Sequence, residues 1–210
     1  MKKRRLIVLD VDSTLIENEV IELLAKCAGT LDRVAKITDR AMRGELDFSA
    51  SLKERVATLE GLPESIFDEV RQEIVVTQGV PRLIEETHLA GGWVGVVSGG
   101  FHEVLDPLAR QLNLDFWKAN RLEIKDGKLT GRVSANIVDA KAKAEALMDW
   151  AREKSIPLSD TVAIGDGAND LEMMAVAGLS IAFNAKPIVR EKAKVCVDQR
   201  DMSLVLDYLD

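Results

Sequence analysis

Four apolar residues with no polar interruption, Leu6-Ile7-Val8-Leu9, run directly into Asp10-Val11-Asp12-Ser13-Thr14. A run without alternation suits a parallel strand covered on both faces, and open α/β sheets bind ligands beyond the carboxyl ends of such strands. After Thr14 the period changes. Val20, Ile21, Leu23, Leu24 and Cys27 recur at helical spacing, with Glu17, Glu19 and Glu22 between them. Helical patterns follow over 33–43, 48–59 and 63–75, punctuated by Gly44, Gly61 and Pro63, with Ser49 or Ser51 placed to cap one of them. Roughly sixty residues without a strand is too long for an ordinary crossover, so 15–75 reads as a helical cap inserted after the first strand.

From Gly79 the pattern becomes regular. A helix over 80–89 leads through Gly91-Gly92 into a second apolar strand, Trp93–Val97, that ends at Ser98-Gly99-Gly100-Phe101. A helix over 102–112, a short strand Phe116–Asn120 and two strands flanking the turn Asp126-Gly127 come next. A helix over 140–154 precedes the strand Thr161–Ile164, whose end carries Gly165-Asp166-Gly167-Ala168-Asn169-Asp170. Residues 173–177 are helical, and 180–183 and 195–197 read as later strands. Such alternation predicts an α/β protein with a Rossmann-like, mainly parallel sheet and right-handed crossovers. The core is then discontinuous, 1–14 and 76–210, with the cap at 15–75.

Composition narrows the class. The 210 residues, 47% hydrophobic and 30% charged, are enough for one substantial core with a smaller inserted domain. A net charge of -7 argues against unaided nucleic-acid binding, which favours basic surfaces. Cys27 and Cys196 lack metal or redox spacing and read as two buried thiols. The basic start Met1-Lys2-Lys3-Arg4-Arg5 resembles the opening of an export signal, but its apolar run stops at Asp10. No stretch approaches membrane-spanning length, and in the absence of targeting signals a cytoplasmic protein is expected.

Three predicted strand ends carry polar groups: Asp10 and Asp12; Ser98 and Gly99; Asp166, Asn169 and Asp170. Extended geometry would put Asp10 and Asp12 on one side. The pair could hold a divalent cation, or divide the roles of nucleophile and proton carrier, or cap a helix starting near Leu15. Ser98 could equally cap the next helix, and Gly165–Asp170 could be only a turn. An EF-hand is excluded, because its glycine would fall on Leu15 and its bidentate Glu on Ile21. A dinucleotide fingerprint is disfavoured, since Asp170 stands where Gly or Ala is required. A phosphate monoester fits better. An ionised Asp attacks without a base, a divalent cation offsets the repulsion, and Ser98, the Gly99 amide and a lysine hold phosphoryl oxygens.

These stretches, with a lysine near the start of the helix before Thr161, resemble the four motifs of the haloacid dehalogenase-like phosphatases. The likeness runs across nearly the whole chain, and it extends into the insertion at Glu17-Asn18-Glu19, Ala41-Met42-Arg43-Gly44, Phe48 and Ser51–Val56. It implies Asp10 as nucleophile and Asp12 as proton carrier, with Mg²⁺ held by Asp10, Asp166 and the Asp12 carbonyl and supported by Asp170. It further implies Ser98, Gly99 and Lys143, rather than Lys141, on the phosphate, Asn169 in the closed complex, and Glu19 and Arg55 on the amino-acid end of O-phosphoserine. The reaction implied is the release of serine and phosphate, the last step of serine biosynthesis. Physical chemistry agrees with the last pair: a substrate carrying an ammonium and a carboxylate beside its phosphate calls for one fixed anion and one fixed cation.

Overall fold

The computed structural model describes residues 3–42, 45–134 and 136–209, Met42 by its backbone only. Arg43 and Gly44 of the insertion, and Met1 and Lys2 of the basic start, lie outside the described residues.

In chain order the elements are β1 (Leu6–Leu9), α1 (Val20–Cys27), α2 (Leu31–Met42), α3 (Phe48–Ala57), α4 (Ile66–Glu73), α5 (Val80–Leu89), β2 (Trp93–Phe101), α6 (His102–Gln111) and β3 (Phe116–Asn120). Then come β4 (Leu122–Lys125), β5 (Lys128–Val133), α7 (Ala140–Glu153), β6 (Thr161–Gly165), α8 (Leu171–Val176), β7 (Leu179–Phe183), α9 (Pro187–Arg190) and β8 (Val195–Val197). Six strands form one parallel sheet in the order β3-β2-β1-β6-β7-β8. The chain fills one side from β1 to β3, then returns beside β1 and fills the other, so the strand order reverses between β1 and β6. Ligands of open α/β sheets bind at that switch point.

The apolar run of β1 now has a reason. Ile7 and Leu9 face one hydrophobic cluster with α5 and α6, and Leu6 and Val8 face a second with α7 and α8. All four are completely buried. Period-two alternation fails because both faces are covered.

The strand β1 stops at Leu9, and the chain turns through Val11–Leu15 with Ser13 at φ 59°, a left-handed conformation that relatively few residues other than glycine adopt. A continuous strand through Asp12 is therefore absent, although Asp10 and Asp12 themselves keep extended dihedrals. Beyond this turn Ile16 bridges Val76 antiparallel, Glu17 donates its N–H to Val75 O at 2.8 Å, and Asn18 Oδ1 accepts from the Val75 N–H at 2.8 Å. The two passages between the sheet and helices α1–α4 are thus zipped together. The hairpin β4–β5 pairs with the inserted segment as well, through Gly61 N–H to Leu129 O and Leu129 N–H to Leu62 O, both 2.8 Å.

Two local expectations are corrected. Helix α3 is capped by Asp47, which accepts the Ala50 N–H at 2.7 Å, while Ser51 lies inside the helix and is buried. Cys27 is half-buried and Cys196 exposed, and both are free; an edge strand as short as β8 covers little of its own surface.

Candidate active site

The carboxyl ends of β1, β2 and β6, the start of α7, and helices α1 to α3 enclose a cavity of about 740 Å³. Its lining includes Asp10, Asp12, Glu19, Arg55, Gly99, Asp166 and Asn169. The sheet places Asp10 directly after β1, where its N–H donates to Ile164 O of β6 at 2.9 Å. The carboxylate of Asp10, 5% exposed, accepts Lys143 Nζ at 2.5 Å, and the same ammonium donates to Asp170 at 2.7 Å. Lys143 is fully buried, and α7 carries it there because Asp139 caps that helix on Ala142 N–H at 2.9 Å. Lys141 instead points outward to Glu145.

Asp170 uses its second oxygen on the Gly167 N–H at 3.1 Å. It fits only because Gly165 has no side chain, since a Cβ there would lie 2.3 Å from that oxygen. Carboxylate oxygens of Asp10, Asp166 and Asp170 lie within 4.8 Å of one another. Burial, and then the charge of Asp170, push both Asp10 and Asp166 upward, Asp166 to about 6. Burial alone would lower Lys143, but the two flanking carboxylates more than reverse it and hold the ammonium charged. Three carboxylates crowded against one cation leave uncompensated negative charge, so the donor set suits a divalent metal ion of the oxygen-binding kind.

Asp12 stands apart from this cluster. Its Oδ1 accepts the Val20 N–H at 2.8 Å and its Oδ2 the Ser98 hydroxyl at 3.2 Å, so it both caps α1 and faces the cavity. Burial, then the nearby charge of Glu19, raise its pKa to about 7. Ser98 does not cap α6: its Oγ accepts the Gly100 N–H at 2.7 Å, and β2 continues through Phe101 with a register shift against β3. At this irregularity Gly99, Gly100 and Phe101 line the cavity.

On the side of helices α1 to α3, Glu19 accepts the Ser13 hydroxyl at 2.7 Å. Arg55 is half-buried and donates only to its own helix, Nε to Ser51 O at 3.3 Å, among the bonds of the described residues. Burial lowers its pKa, opposed by Glu19, Asp12 and Glu22. The ring of Phe48 lies over Gly99 so closely that a Cβ would sit 2.7 Å from it.

Two residues of the site went unread in the sequence. Asn120, 2% exposed, donates to Gly99 O at 2.8 Å and accepts the Val138 N–H at 2.8 Å, tying the Ser98 loop to the approach to α7. A polar residue closing the strand Phe116–Asn120 was its only signal. Lys186 lines the cavity and partly offsets the rise of Asp166; a lysine in a loop carries no signal by itself.

A parallel sheet with acids at its switch point and a helical insertion over them defines a class. A family model for haloacid dehalogenase-like hydrolases matches residues 7–175, and the chain belongs to that family. Among individual proteins it is similar to phosphoserine phosphatase of Lactococcus lactis subsp. lactis (strain IL1403), 49% identical over 210 residues, covering 100% of this chain and 97% of the relative. It is likewise similar to phosphoserine phosphatase of Streptococcus thermophilus (strain ATCC BAA-250 / LMG 18311), 53% identical over 205 residues, covering 98% and 95%. Of solved structures, a substrate-bound phosphoserine phosphatase complex superposes with a TM-score of 0.94 at 45% identity over 100% of both chains. A phospho-aspartyl intermediate analogue of phosphoserine phosphatase gives 0.93, at 45% identity over 100% of both. Among the described residues no helix is long and apolar enough to cross a membrane.

Proposed function

We propose that this chain is a Mg²⁺-dependent phosphatase that converts O-phosphoserine to serine and phosphate through an aspartyl phosphate on Asp10. The observation that carries the reading is Asp10 itself, a carboxylate at the switch point facing a cavity, with a charged lysine 2.5 Å away. In the first step an Asp10 oxygen bonds to phosphorus while the bond from phosphorus to the serine oxygen breaks, and Asp12 gives its proton to the departing alkoxide. In the second, Asp12 takes a proton from water, the water oxygen bonds to phosphorus, and the aspartyl bond breaks to restore Asp10. A group with a pKa of about 7 suits both halves.

Asp10, Asp166 and the Asp12 carbonyl would hold Mg²⁺, with Asp170 orienting Lys143. The ion supplies charge neutralisation between attacker and phosphoryl group. An ammonium has three donors, and two are engaged by Asp10 and Asp170, leaving one for a phosphoryl oxygen. Ser98 and the Gly99 amide would hold the other oxygens. Glu19 and Arg55 would take the ammonium and carboxylate of the substrate, and Asn169 would contact the closed complex. In this reading 1–14 and 76–210 are the core and 15–75 the cap, working in the cytoplasm as a monomer or homodimer.

The test is phosphate release by purified protein from a panel of phosphomonoesters, with and without Mg²⁺. O-phosphoserine should exceed the other esters in kcat/KM, and chelation should abolish turnover. Equal turnover of phosphoserine and unrelated esters would overturn the substrate assignment, and turnover that survives chelation would overturn the metal.

A further inference from the structure

Helix α3 carries, in the wall of the cavity, a buried hydroxyl with no hydrogen-bond partner among the described residues. Ser51 is 2% exposed and lines the cavity, yet among the described residues its Oγ has no hydrogen-bond partner. A serine within a helix ordinarily bonds back to the carbonyl one turn before it or points to water. Neither applies here. Buried polar groups left without a partner are rare in folded proteins, and each asks for an explanation. The surroundings supply one. Arg55 lies one turn further along the same helix face, and its Nε is tied to the Ser51 carbonyl at 3.3 Å. The hydroxyl and the guanidinium are thus adjacent on the wall of one cavity, and the guanidinium has further N–H groups available for a ligand. A carboxylate that forms two parallel bonds with a guanidinium retains further lone-pair sites for a neighbouring donor.

We propose that Ser51 is a specificity-determining residue, whose hydroxyl donates to the substrate carboxylate that Arg55 holds. This rests on the assignment of phosphoserine as substrate made above, and it adds a third group to the recognition of the amino-acid end. Selection for the carboxylate then resides on one face of α3, in two residues a turn apart, while Glu19, which lines the same cavity, meets the ammonium.

The experiment is steady-state kinetics of Ser51→Ala on three esters: O-phosphoserine, O-phosphoethanolamine, which lacks the carboxylate, and p-nitrophenyl phosphate, which lacks both groups. Loss of a hydrogen bond to a charged group predicts a fall of about ten-fold or more in kcat/KM on phosphoserine, carried by KM. The other two esters should change by less than about two-fold, because nothing in them reaches the hydroxyl. Tm should not fall, since the substitution removes a group without a bond in the free protein. In an Arg55→Ala background, Ser51→Ala should cost less on phosphoserine than it does alone. An unchanged kcat/KM on phosphoserine, or an equal loss on all three esters with a lowered Tm, overturns the proposal while leaving the substrate assignment intact. Wild-type protein that hydrolyses p-nitrophenyl phosphate but not phosphoserine overturns both.

Discussion

The two walls of the cavity are built on different principles. On the sheet side Lys143, Asp10 and Asp170 are at most 5% exposed, and each is held by a bond to another member of the trio. On the helical side Glu19 and Arg55 are half-exposed, and among the described residues Arg55 donates only to a carbonyl of its own helix. Desolvated, mutually bonded charges are fixed before substrate arrives, which is what stabilising a developing charge requires. Loosely tied charges on a helical unit, joined through the paired strips at Ile16–Asn18 and Val75–Val76, suit a part that reads the substrate and closes over it. Under the proposed function this contrast is a division of labour: chemistry on the sheet side, and selectivity on the helical side.

The contrast can be broken first at Asp10. Asp10→Asn should lower phosphate release by at least about a thousand-fold and remove covalent labelling by ³²P-labelled substrate. Retained labelling would place the phosphoryl group elsewhere. Lys143→Ala tests whether the trio is as rigid as it looks. Removing one member of a buried charge group strands the others, so unfolding free energy should drop by about 3–5 kcal/mol, alongside loss of turnover. Denaturant titration reads the first effect and phosphate release the second.

Arg55→Ala sharpens the other side. It should cost phosphoserine about a hundred-fold in kcat/KM and p-nitrophenyl phosphate only a few-fold, because only the former has a carboxylate to lose. Equal losses on both esters would move Arg55 from selectivity to chemistry. The smallest effect concerns pH and metal. Asp12 and Asp166 have folded pKa values of about 7 and about 6, above those of free carboxylates. Their contribution to stability is therefore full below the ordinary carboxylate range, and is lost as pH rises through those values. Under chelation, Tm should fall between about pH 5 and about pH 8, and Mg²⁺ should restore part of it at the higher pH. A Tm that is flat with pH, or one that Mg²⁺ leaves unmoved, would show that these carboxylates are not under electrostatic strain.

Much of this was legible in one dimension. The unbroken runs at Leu6–Leu9 and Thr161–Ile164 announced strands covered on both faces, and the acids after them marked the ligand end of the sheet. The change to helical spacing after Thr14 announced the insertion. Other features left weaker traces. Ser49 and Ser51 read as caps because either hydroxyl could serve, whereas Asp47 sits where the backbone actually turns into α3. The apolar pattern after Trp93 ends the strand at Ser98, whereas pairing of Phe101 with Asn120 carries it on. The hairpin around Asp126-Gly127 was visible, but not its pairing with Gly61 and Leu62 of the insertion, because strand pairing across distant segments has no local signature.

The sequence by itself determined the class of fold, the run of helices after the first strand and the acids at the strand ends, because periodicity, turn residues and strand-end polarity are written within a few residues of each other. Only the tertiary structure decided that Lys143 meets Asp10 across 133 positions of chain, that Asp170 joins them, and that Ser51 lines the cavity with its hydroxyl unpartnered among the described residues. Such facts depend on strand order and on which side chains packing removes from water. Desolvation by the whole fold, rather than any neighbour in sequence, sets both the distances and the pKa values at the site.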